Sequence, residues 1–570
     1  MNDFPERHWT LTDLFLARVR TSPQGKAYRW FDGSRWVDIT WEETEQRVGR
    51  LCAALEKEGL KPGDRVGICS RNRIEWVCFD QAALSLGLVV VPLFYNDRPD
   101  NMSYCLNDAG ARLWLLEDGK VWEAMKLHET QLERVVCISD APAGDSRAVA
   151  LDRWLPAQGT EVKPCPANCE ELATLVYTSG TTGRPKGVML THRNIVSDVM
   201  GLCTAVPEIF QLKPYTFLSF LPLSHMLERT AGYYIPMYMQ EGTQVVFARG
   251  IQELGEDLIS QKPNIIVSVP RIFERVYSKV EASLPPGSFK RKLFEKTVDI
   301  GWKRFKKEAG VFERLLWPIL DLLVARKLRA RLGGQMEYIF LGGAALAPHL
   351  LRIFTGMGLT FIHGYGLTET SPAASCNRIA DNDPMSVGHV LPGNEARVAD
   401  NGELLVRGPI VMKGYWNNPQ GTSAVIDADG WFRTGDIVDI REGRIYIRGR
   451  LKEIIVLSNG EKIPPGDAEQ AIMRDTVFEQ VMVVGEGRAH LGLVCVSALD
   501  NEQELCARAN AQLKDFPGYA KIRHLARVGE AWTVENGLIT PTLKLKRNKI
   551  EERFVMEIEA MYKRTDVCGG

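Results

Sequence analysis

The sequence predicts an α/β protein of at least two domains, and three observations support this. Its 570 residues exceed the roughly 100–200 residues of a usual single domain. Over about the first 400 residues, short apolar runs alternate with helical patterns, and antiparallel strand patterns follow. The last segment mixes helices and strands again. We therefore expect a large N-terminal domain, a small strand-rich module and a smaller α+β C-terminal domain.

The large domain, residues 1–449, is predicted from its apolar runs. These runs are TLVYTSG, TFLSFLP, TQVVFA, NIIVSV, EYIFLGG and LTFIHG. Strands that are apolar throughout are typical of parallel sheets covered by helices, so we expect stacked, helix-covered sheets. After the first of these strands, Thr191 suits the N-cap of a helix that continues through Val199.

The strand-rich module is predicted from Asn394 to Arg448. The sequence EARVADNGELLVRG alternates apolar and polar residues around an Asn-Gly pair, which is a hairpin signal. A further short strand, GRIYIRG, follows it, and together they predict a small β-barrel-like module that closes the large domain. A mixed segment with a Pro-Pro-Gly break then predicts a C-terminal domain over residues 450–570.

Composition narrows the class of protein. The formal net charge is −1, which gives no reason to expect nucleic-acid binding. The 12 Cys residues are scattered and complete no zinc-binding pattern. The N-terminus lacks a signal-peptide pattern, and the apolar run AALSLGLVVVPLF is shorter than the about 20 residues that span a bilayer. We therefore expect a cytoplasmic protein.

A basic helical insertion, about residues 275–332, stands apart from this balance. Between Arg271 and Leu332 there are 16 Lys or Arg and 7 Asp or Glu, a net charge of +9. One helix face there carries four apolar residues, Phe294, Val298, Trp302 and Phe305. This pattern fits a solvated helix that packs on the large domain, or a helix in peripheral contact with an anionic membrane, on its inner face. The apolar run Leu315–Ala325 follows and adds apolar surface.

The stretch YTSGTTGRPKGV, Tyr177–Val188, reads as a loop that binds an anion. Gly-rich backbone N–H groups form anion-binding nests, and Ser or Thr hydroxyls add donors. Lys186 supplies a mobile positive charge, but it follows Pro185 and precedes Gly187, so the loop is not a Walker A motif. Taken alone, the stretch also fits a flexible Ser/Thr/Gly turn.

Four further motifs indicate which family of proteins this loop resembles. TSGTTGRPKG resembles the phosphate loop of the adenylate-forming (AMP-binding) superfamily, which includes acyl-CoA synthetases, luciferases and peptide-synthetase adenylation domains. In the same order as in that superfamily, YGLTET resembles its adenine and magnesium motif, TGD its ribose motif and GRLKE its interdomain hinge. PTLKLKRNKI resembles its C-terminal lysine motif. The resemblance covers Tyr177–Ile550 and implies the adenylate-forming fold, with a mobile C-terminal domain.

The resemblance implies that the protein activates a carboxylate with ATP and Mg²⁺. Binding of ATP or AMP falls to Thr178, Ser179, Gly180, Thr181, Thr182, Gly183, Lys186, Gly343, Ala344, Gly364, Tyr365, Gly366, Thr368, Asp436 and Arg450. Glu369 and Thr181 are the implied Mg²⁺ ligands. Tyr365 is expected to stack on adenine, and Asp436 to accept from the ribose hydroxyls.

The implied catalytic cation is Lys544, which meets negative charge at the carboxylate and the α-phosphate. Lys546 lies two residues further on, and the register of the motif favours Lys544 without excluding Lys546. The implied hinge lies at about residues 449–453, with Gly449 as the permissive position and Lys452 matching the hinge residue. In this superfamily the C-terminal domain rotates there between two half-reactions.

Three stretches point to a long-chain fatty acid. LPLSHMLERTAGYY, RIFERVYSKV and SNGEKIPP resemble the long-chain acyl-CoA synthetase subgroup. His225, in the first of them, is expected beside the acyl-adenylate. The implied reaction forms acyl-AMP and pyrophosphate, and coenzyme A then displaces AMP. The alternatives are a fatty acyl-AMP ligase that loads a carrier protein, a ligase for aryl or short-chain acids, and a scaffold without activity.

Overall fold

The computed structural model describes residues 9–125, 128, 130–166, 168–178, 184–210, 213–344, 346–514, 516–540 and 544–564. Within these ranges the strands of the N-terminal part are β1 Lys26–Phe31, β2 Trp36–Thr40, β3 Arg65–Cys69, β4 Val89–Pro92, β5 Ala111–Leu116, β6 Arg134–Cys137, β7 Ala148–Ala150, β8 Leu172–Thr178, β9 Lys186–Thr191, β10 Thr216–Ser219, β11 Gln244–Phe247, β12 Ile265–Ser268, β13 Tyr338–Leu341, β14 Thr360–Tyr365, β15 Ser375–Cys376, β16 His389–Val390, β17 Glu395–Val398, β18 Glu403–Arg407, β19 Gly414–Tyr415, β20 Phe432–Arg441 and β21 Arg444–Arg450. The C-terminal strands are β22 Ile455–Val456, β23 Lys462–Ile463, β24 Phe478–Val484, β25 Leu491–Ser497 and β26 Ile522–Val528.

The α-helices of the same ranges are α1 Leu11–Thr21, α2 Trp41–Lys57, α3 Ile74–Ser85, α4 Pro99–Ala109, α5 Gly119–Met125, α6 Leu151–Trp154, α7 His192–Ala205, α8 Pro207–Phe210, α9 Met226–Glu228, α10 Ile235–Tyr238, α11 Leu254–Gln261, α12 Pro270–Ala282, α13 Phe289–Phe305, α14 Val311–Leu320, α15 Arg326–Arg331, α16 Pro348–Gly356, α17 Pro419–Ser423, α18 Pro465–Ile472, α19 Glu502–Gln512, α20 Arg547–Arg553 and α21 Val555–Lys563. Two π-helical turns, Arg229–Tyr234 and Asp321–Ala325, join α9 to α10 and α14 to α15. None of these helices combines the length and the apolarity that crossing a bilayer requires.

Two large sheets form the N-terminal part. One has the strand order β17-β18-β20-β21-β16-β15-β14-β13-β12-β10-β11-β1-β2, and the other has the order β19-β9-β8-β4-β3-β5-β6-β7. A continuous apolar core, which includes side chains of α1, α2, α3 and α7, joins residues from both sheets. A second core lies between the first sheet and the helices α13, α15 and α16. The predicted α/β class with stacked, helix-covered sheets is confirmed.

The antiparallel strands continue the first sheet. From β10 to β14 its pairs are parallel, and from β14 through β15, β16 and β21 they are antiparallel. The Asn-Gly hairpin predicted near residue 401 joins β17 and β18, with Gly402 at φ +83°. The smaller C-terminal part carries β24, β25 and β26 as a separate sheet. Cores lie on both of its faces.

The start of α7 agrees with the N-cap that the sequence predicted. The predicted N-cap residue Thr191 accepts a hydrogen bond from the Asn194 N–H at 3.1 Å, and Asn194 Oδ1 accepts from the Thr191 N–H at 2.9 Å. This reciprocal pair satisfies two backbone donors that the first helical turn leaves free. The helix continues to Ala205, six residues beyond the predicted Val199.

Candidate active site

A cavity of about 2220 Å³ lies where the two large sheets and the C-terminal part meet. Its wall includes the ends of β8, β9 and β14, residues 225–235, the end of β21 and the loop before α20. Parallel strands place their carboxyl ends at one edge of a sheet, and ligands bind in the crevice outside that edge. The sequence motifs therefore converge, although they are separated by up to several hundred residues.

The strands on either side of the phosphate-loop motif, β8 and β9, pair antiparallel beside the cavity. Thr178, at the end of β8, is the register partner of Lys186, at the start of β9. Both residues line the cavity. The predicted ligands Ser179, Gly180, Thr181, Thr182 and Gly183 lie outside the described residues. The Lys186 ammonium lies 4.9 Å from the ring centroid of Tyr415.

Glu369 lies in a 3₁₀ turn, Thr368–Thr370, and lines the cavity. Its Oε1 accepts a hydrogen bond from the Tyr415 hydroxyl at 2.9 Å. Burial, and then the charge of Glu369, raise the pKa of Tyr415, so this hydroxyl stays a donor. Sequence reasoning missed Tyr415, whose ring also faces Lys186. Tyr415 lies in a Gly-Tyr-Trp stretch after the β17–β18 hairpin. Nothing in the spacing of that stretch indicates a contact with Glu369.

Tyr365 and Arg450 converge on Asp436. The Tyr365 hydroxyl donates to Asp436 Oδ2 at 2.6 Å, and Arg450 Nε lies 3.2 Å from Oδ1. Asp436 and Arg450 face each other as register partners on β20 and β21. Burial raises the pKa of the Asp436 carboxyl, while Arg450 and the Tyr365 hydrogen bond oppose that rise. Both oxygens of this carboxylate therefore have donors.

The small residues predicted to contact the nucleotide lie in β14 and in the segments that follow β13 and β14. Gly343, Gly364, Gly366 and Thr368 line the cavity, and Ala344 is exposed beside Gly343. Gly343 has φ +80°, in the left-handed region that favours glycine. A Cβ on Gly366 would lie 1.8 Å from the Pro372 carbonyl oxygen, so only glycine fits there.

Lys544 reaches the same cavity from the C-terminal part. Its N–H donates to Thr540 Oγ1 at 3.0 Å, and its carbonyl accepts from the Thr540 N–H at 2.8 Å. Lys544 is an exposed residue, yet burial of its ammonium by the surrounding protein, and then the charge of Arg450, lower its pKa. Asp436, Glu453 and Glu369 act in the opposite direction.

Lys546 occupies different surroundings. It also lines the cavity, but the charges that act on it are those of Asp97, Arg98 and Asp100, and burial lowers its pKa. Glu369, Asp436 and Arg450 act on Lys544 instead. Although Lys544 and Lys546 are only two residues apart, different charged residues act on them. The charges that act on Lys544 are those of the predicted site residues.

The predicted hinge follows β21. Gly449 has φ +153°, and a Cβ there would lie 3.0 Å from the Pro464 side chain. Lys452 is exposed and lines the cavity. On the C-terminal side, Arg547 donates to both oxygens of Glu469, at 2.9 and 2.5 Å. The predicted hinge residue Lys452 and the predicted catalytic residue Lys544 therefore line the same cavity.

His225 marks the change from a polar to an apolar wall. Its Nδ1 accepts from the Leu227 N–H at 3.2 Å, which caps α9. Burial, and then the charge of Lys544, lower the pKa of His225 to about 4. Six apolar lining residues belong to the first hydrophobic core or pack against it, and we call this part of the wall the apolar end: Leu202, Met226, Leu227, Ala231, Ile235 and Cys376. The polar end comprises Lys186, Tyr365, Glu369, Arg450 and Lys544.

The π-helical turn Arg229–Tyr234 separates the apolar end from a buried ion pair. Thr230 and Ala231 face the cavity, while Arg229 forms an ion pair with Asp80, and both side chains are 0% exposed. The Tyr234 hydroxyl donates to Asp80 at 2.9 Å, and Arg229 donates to Thr174 at 2.9 Å. Sequence reasoning missed this network, because nothing in the local pattern connects its members.

The chain matches two family models. Residues 15–416 match the model described as AMP-binding enzyme, and residues 452–566 match the model described as AMP-binding enzyme C-terminal domain. Among its relatives, the long-chain-fatty-acid–CoA ligase FadD15 of Mycobacterium bovis is 32% identical over 97% of each chain. The chloroplastic long-chain-fatty-acid–[acyl-carrier-protein] ligase AEE15 of Arabidopsis thaliana is 28% identical, over 92% of this chain and 83% of that protein.

A solved structure has the same fold. The adenylation domain of a carboxylate reductase from Mycobacterium chelonae superposes with a TM-score of 0.78 at 20% sequence identity. The superposition covers 99% of this chain and 92% of that one. Together with the family models, which match more than half of the sequence, these findings make the chain a member of the AMP-binding enzyme family.

Proposed function

We propose that this protein is a long-chain-fatty-acid–CoA ligase that forms acyl-AMP from a fatty acid and ATP, and then acyl-CoA. The observation that carries this proposal is one cavity with two ends of opposite character. The polar end presents Lys186, Glu369 and Lys544, and the apolar end begins at His225. A fatty acid needs both, because its carboxylate reacts with a phosphate while its chain must leave water. The similarity to the long-chain-fatty-acid–CoA ligase FadD15 supports the same substrate.

In the first step a carboxylate oxygen of the fatty acid attacks the α-phosphorus of ATP. The bond to the bridging oxygen breaks, and its electron pair leaves with pyrophosphate. Lys544 balances negative charge where the new bond forms, which stabilises the transition state more than the ground state. Lys186 and Thr178, with the loop hydroxyls of Ser179, Thr181 and Thr182, hold the departing phosphates.

Glu369 fits the requirement for Mg²⁺. Its Oε1 has the Tyr415 donor, so Oε2 is the oxygen left to face a cation. Magnesium usually binds one or two carboxylates together with substrate phosphates, so Glu369 with Thr181 and ATP would complete such a set. When bound, the ion would neutralise phosphate charge. The residues of the chain hold and orient the reactants around it.

In the second step the thiolate of coenzyme A attacks the acyl carbonyl carbon, and the AMP phosphate leaves. No nucleophilic side chain is required, and positioning does the work. We assign the change between steps to rotation of residues 450–570 about Gly449 and Lys452, which withdraws Lys544. Asp436 and Tyr365 hold the nucleotide throughout. A cytoplasmic location belongs to the same proposal.

The decisive experiment measures pyrophosphate release from ATP and Mg²⁺ with a series of acids from acetate to long-chain fatty acids. Release should depend on the acid and rise with chain length, because each buried CH₂ contributes about 0.8 kcal/mol. Omitting the acid is the control. Release with acetate or an aromatic acid alone would instead favour a short-chain or aryl-acid ligase, and no release would favour a scaffold.

The acceptor is tested separately, because one relative is described as an acyl-carrier-protein ligase. Acyl-AMP is formed first, and then either coenzyme A or a phosphopantetheinylated carrier protein is added. Thioester formation with free coenzyme A supports the ligase proposed here. Thioester formation with the carrier protein alone would assign the chain to the fatty acyl-AMP ligases.

A further inference from the structure

A continuous helical segment, Val311–Arg331, carries a large apolar surface that is open to water. It consists of α14, the π-helical turn Asp321–Ala325 and α15. The exposed side chains are Val311 at 76%, Phe312 at 73%, Leu315 at 73%, Ile319 at 56%, Leu322 at 57% and Leu323 at 45%. We call these six residues the apolar ridge. Single exposed apolar residues are ordinary, whereas a contiguous group marks an interaction surface.

The ridge is a helix face and not a scatter of positions. At about 100° per residue, all six side chains fall within an arc of roughly 120°. The opposite face already supplies the packing that the fold needs: Leu320, Ala325 and Leu328 are buried in the second core. A helix that is apolar on both faces is normally buried on both. Here one face is left for a partner.

The charges around the ridge favour an anionic partner. Glu313 and Asp321 are paired with Lys303 and Arg329, at 2.6 and 2.8 Å. By contrast, four exposed cations of this helical run have no ion-pair partner among the described residues: Arg314, Arg326, Lys327 and Arg331. The enclosing segment, Arg271–Leu332, has a net charge of +9 in a chain whose net charge is −1.

We propose that the apolar ridge docks on the surface of an anionic lipid bilayer. An amphipathic helix with basic flanks lies in the plane of the interface, where its apolar side chains enter the acyl boundary and its cations meet the headgroups. A second copy of the chain is a poorer occupant, since self-pairing brings two strongly basic segments together. The helices described here are too short or too polar to span, so the contact is peripheral.

This surface lies in the apolar run Leu315–Ala325 of the basic insertion and just before it, and not on the stripe of α13 that the sequence also predicted. The stripe of Phe294 and Val298 on α13 is buried in the second core, and Trp302 and Phe305 are half-buried. The packed-helix interpretation of α13 therefore holds, and the lipid-facing residues lie on the next helical segment. The ridge residues do not line the active-site cavity, so the proposal stands apart from the proposed function.

The test is flotation of the full chain with vesicles of phosphatidylcholine alone or mixed with phosphatidylglycerol. The test variant is Phe312→Ser, Leu315→Ser, Ile319→Ser. The matched control, Ile251→Ser, Ile259→Ser, Met556→Ser, removes three exposed apolar side chains elsewhere. We expect wild type and control to float with the mixed vesicles, and the test variant to float at least about fivefold less. A charge variant, Arg314→Gln, Arg326→Gln, Lys327→Gln, Arg331→Gln, should lose the preference for phosphatidylglycerol.

Thermal unfolding and acid-dependent pyrophosphate release of each variant show that it is folded. The proposal is overturned if wild type fails to float with the mixed vesicles, or if the ridge variant floats as well as the control. Sedimentation velocity distinguishes the other occupant. A wild-type dimer that the ridge substitutions convert to a monomer would assign the ridge to self-association and also overturn the proposal.

Discussion

The two ends of the active-site cavity manage charge in opposite ways. At the polar end, charged groups face the cavity and are held by partners that a ligand can replace or share, as Tyr365 and Arg450 hold Asp436. At the apolar end, the only nearby ion pair, within the described residues, is placed behind the wall and sealed: Asp80 and Arg229 are 0% exposed. Charge is thus available where phosphate chemistry is expected, and withheld where an alkyl chain is expected.

The largest effect is expected from opening the sealed pair with Asp80→Asn. The change leaves the Arg229 guanidinium buried without its counter-charge, which typically costs about 3–5 kcal/mol. Tyr234 and Thr174 cannot replace the lost carboxylate, because both side chains are neutral. The Tyr234 hydroxyl donates to Asp80, and the Thr174 hydroxyl accepts from Arg229. The free energy of unfolding, measured by urea denaturation, reports the loss.

The matched control is the surface pair Arg98–Asp100, whose side chains are 45% exposed. Asp100→Asn should change stability by only about 0–1 kcal/mol, since exposed pairs are screened by water. Equal costs for the two substitutions would contradict the idea that the apolar end depends on a sealed ion pair.

The second effect concerns the polar end. Lys544→Ala should slow pyrophosphate release on the order of 10²-fold or more, the scale of one transition-state donor. Thioester formation from supplied acyl-AMP should be spared, because the proposed mechanism withdraws Lys544 before that step. Stopped-flow measurement of each half-reaction separates the two.

Lys546→Ala is the control within the same loop. Since the charges of Asp97 and Asp100 act on Lys546, whereas those of Asp436 and Glu369 act on Lys544, loss of Lys546 should cost far less in the first step. A larger loss in Lys546→Ala than in Lys544→Ala would move the catalytic role to Lys546. Equal losses in both half-reactions of Lys544→Ala would instead make it a structural residue.

Local and distant contacts explain which parts could be predicted from the sequence. The Thr191 cap and the Asn401–Gly402 hairpin are encoded within a few residues, so their patterns predict them. The motif residues were predicted because they occur in a specific order. Tyr415 with Glu369, 46 residues apart, and Asp80 with Arg229, 149 residues apart, meet only through the fold. No local pattern carries such a pairing.

The third effect tests the length of the apolar end. Ala231→Phe fills space beside the cavity wall, so the longest acids should lose about tenfold or more in kcat/KM, about two methylenes of burial. Short acids and the KM for ATP should change little. Ala424→Phe, the same substitution elsewhere on this cavity wall, is the control. A loss in Ala231→Phe that is equal for all chain lengths would contradict an alkyl site there.

The smallest effect is expected at His225, where the two ends meet. In the wild type its pKa is lowered to about 4, mainly by burial and secondly by the Lys544 charge, so the imidazole is neutral at pH 7. Lys544→Ala removes a positive charge that opposes protonation, so the pKa of His225 should rise, while burial keeps it below its ordinary value. Titration by NMR of histidine-labelled protein, with His225→Gln to assign the signal, measures this shift.

The control is Lys546→Ala, which should leave the pKa of His225 unchanged. An unchanged pKa of His225 in Lys544→Ala would mean that the ammonium does not act at the boundary between the two ends, and would contradict the position of Lys544 beside His225.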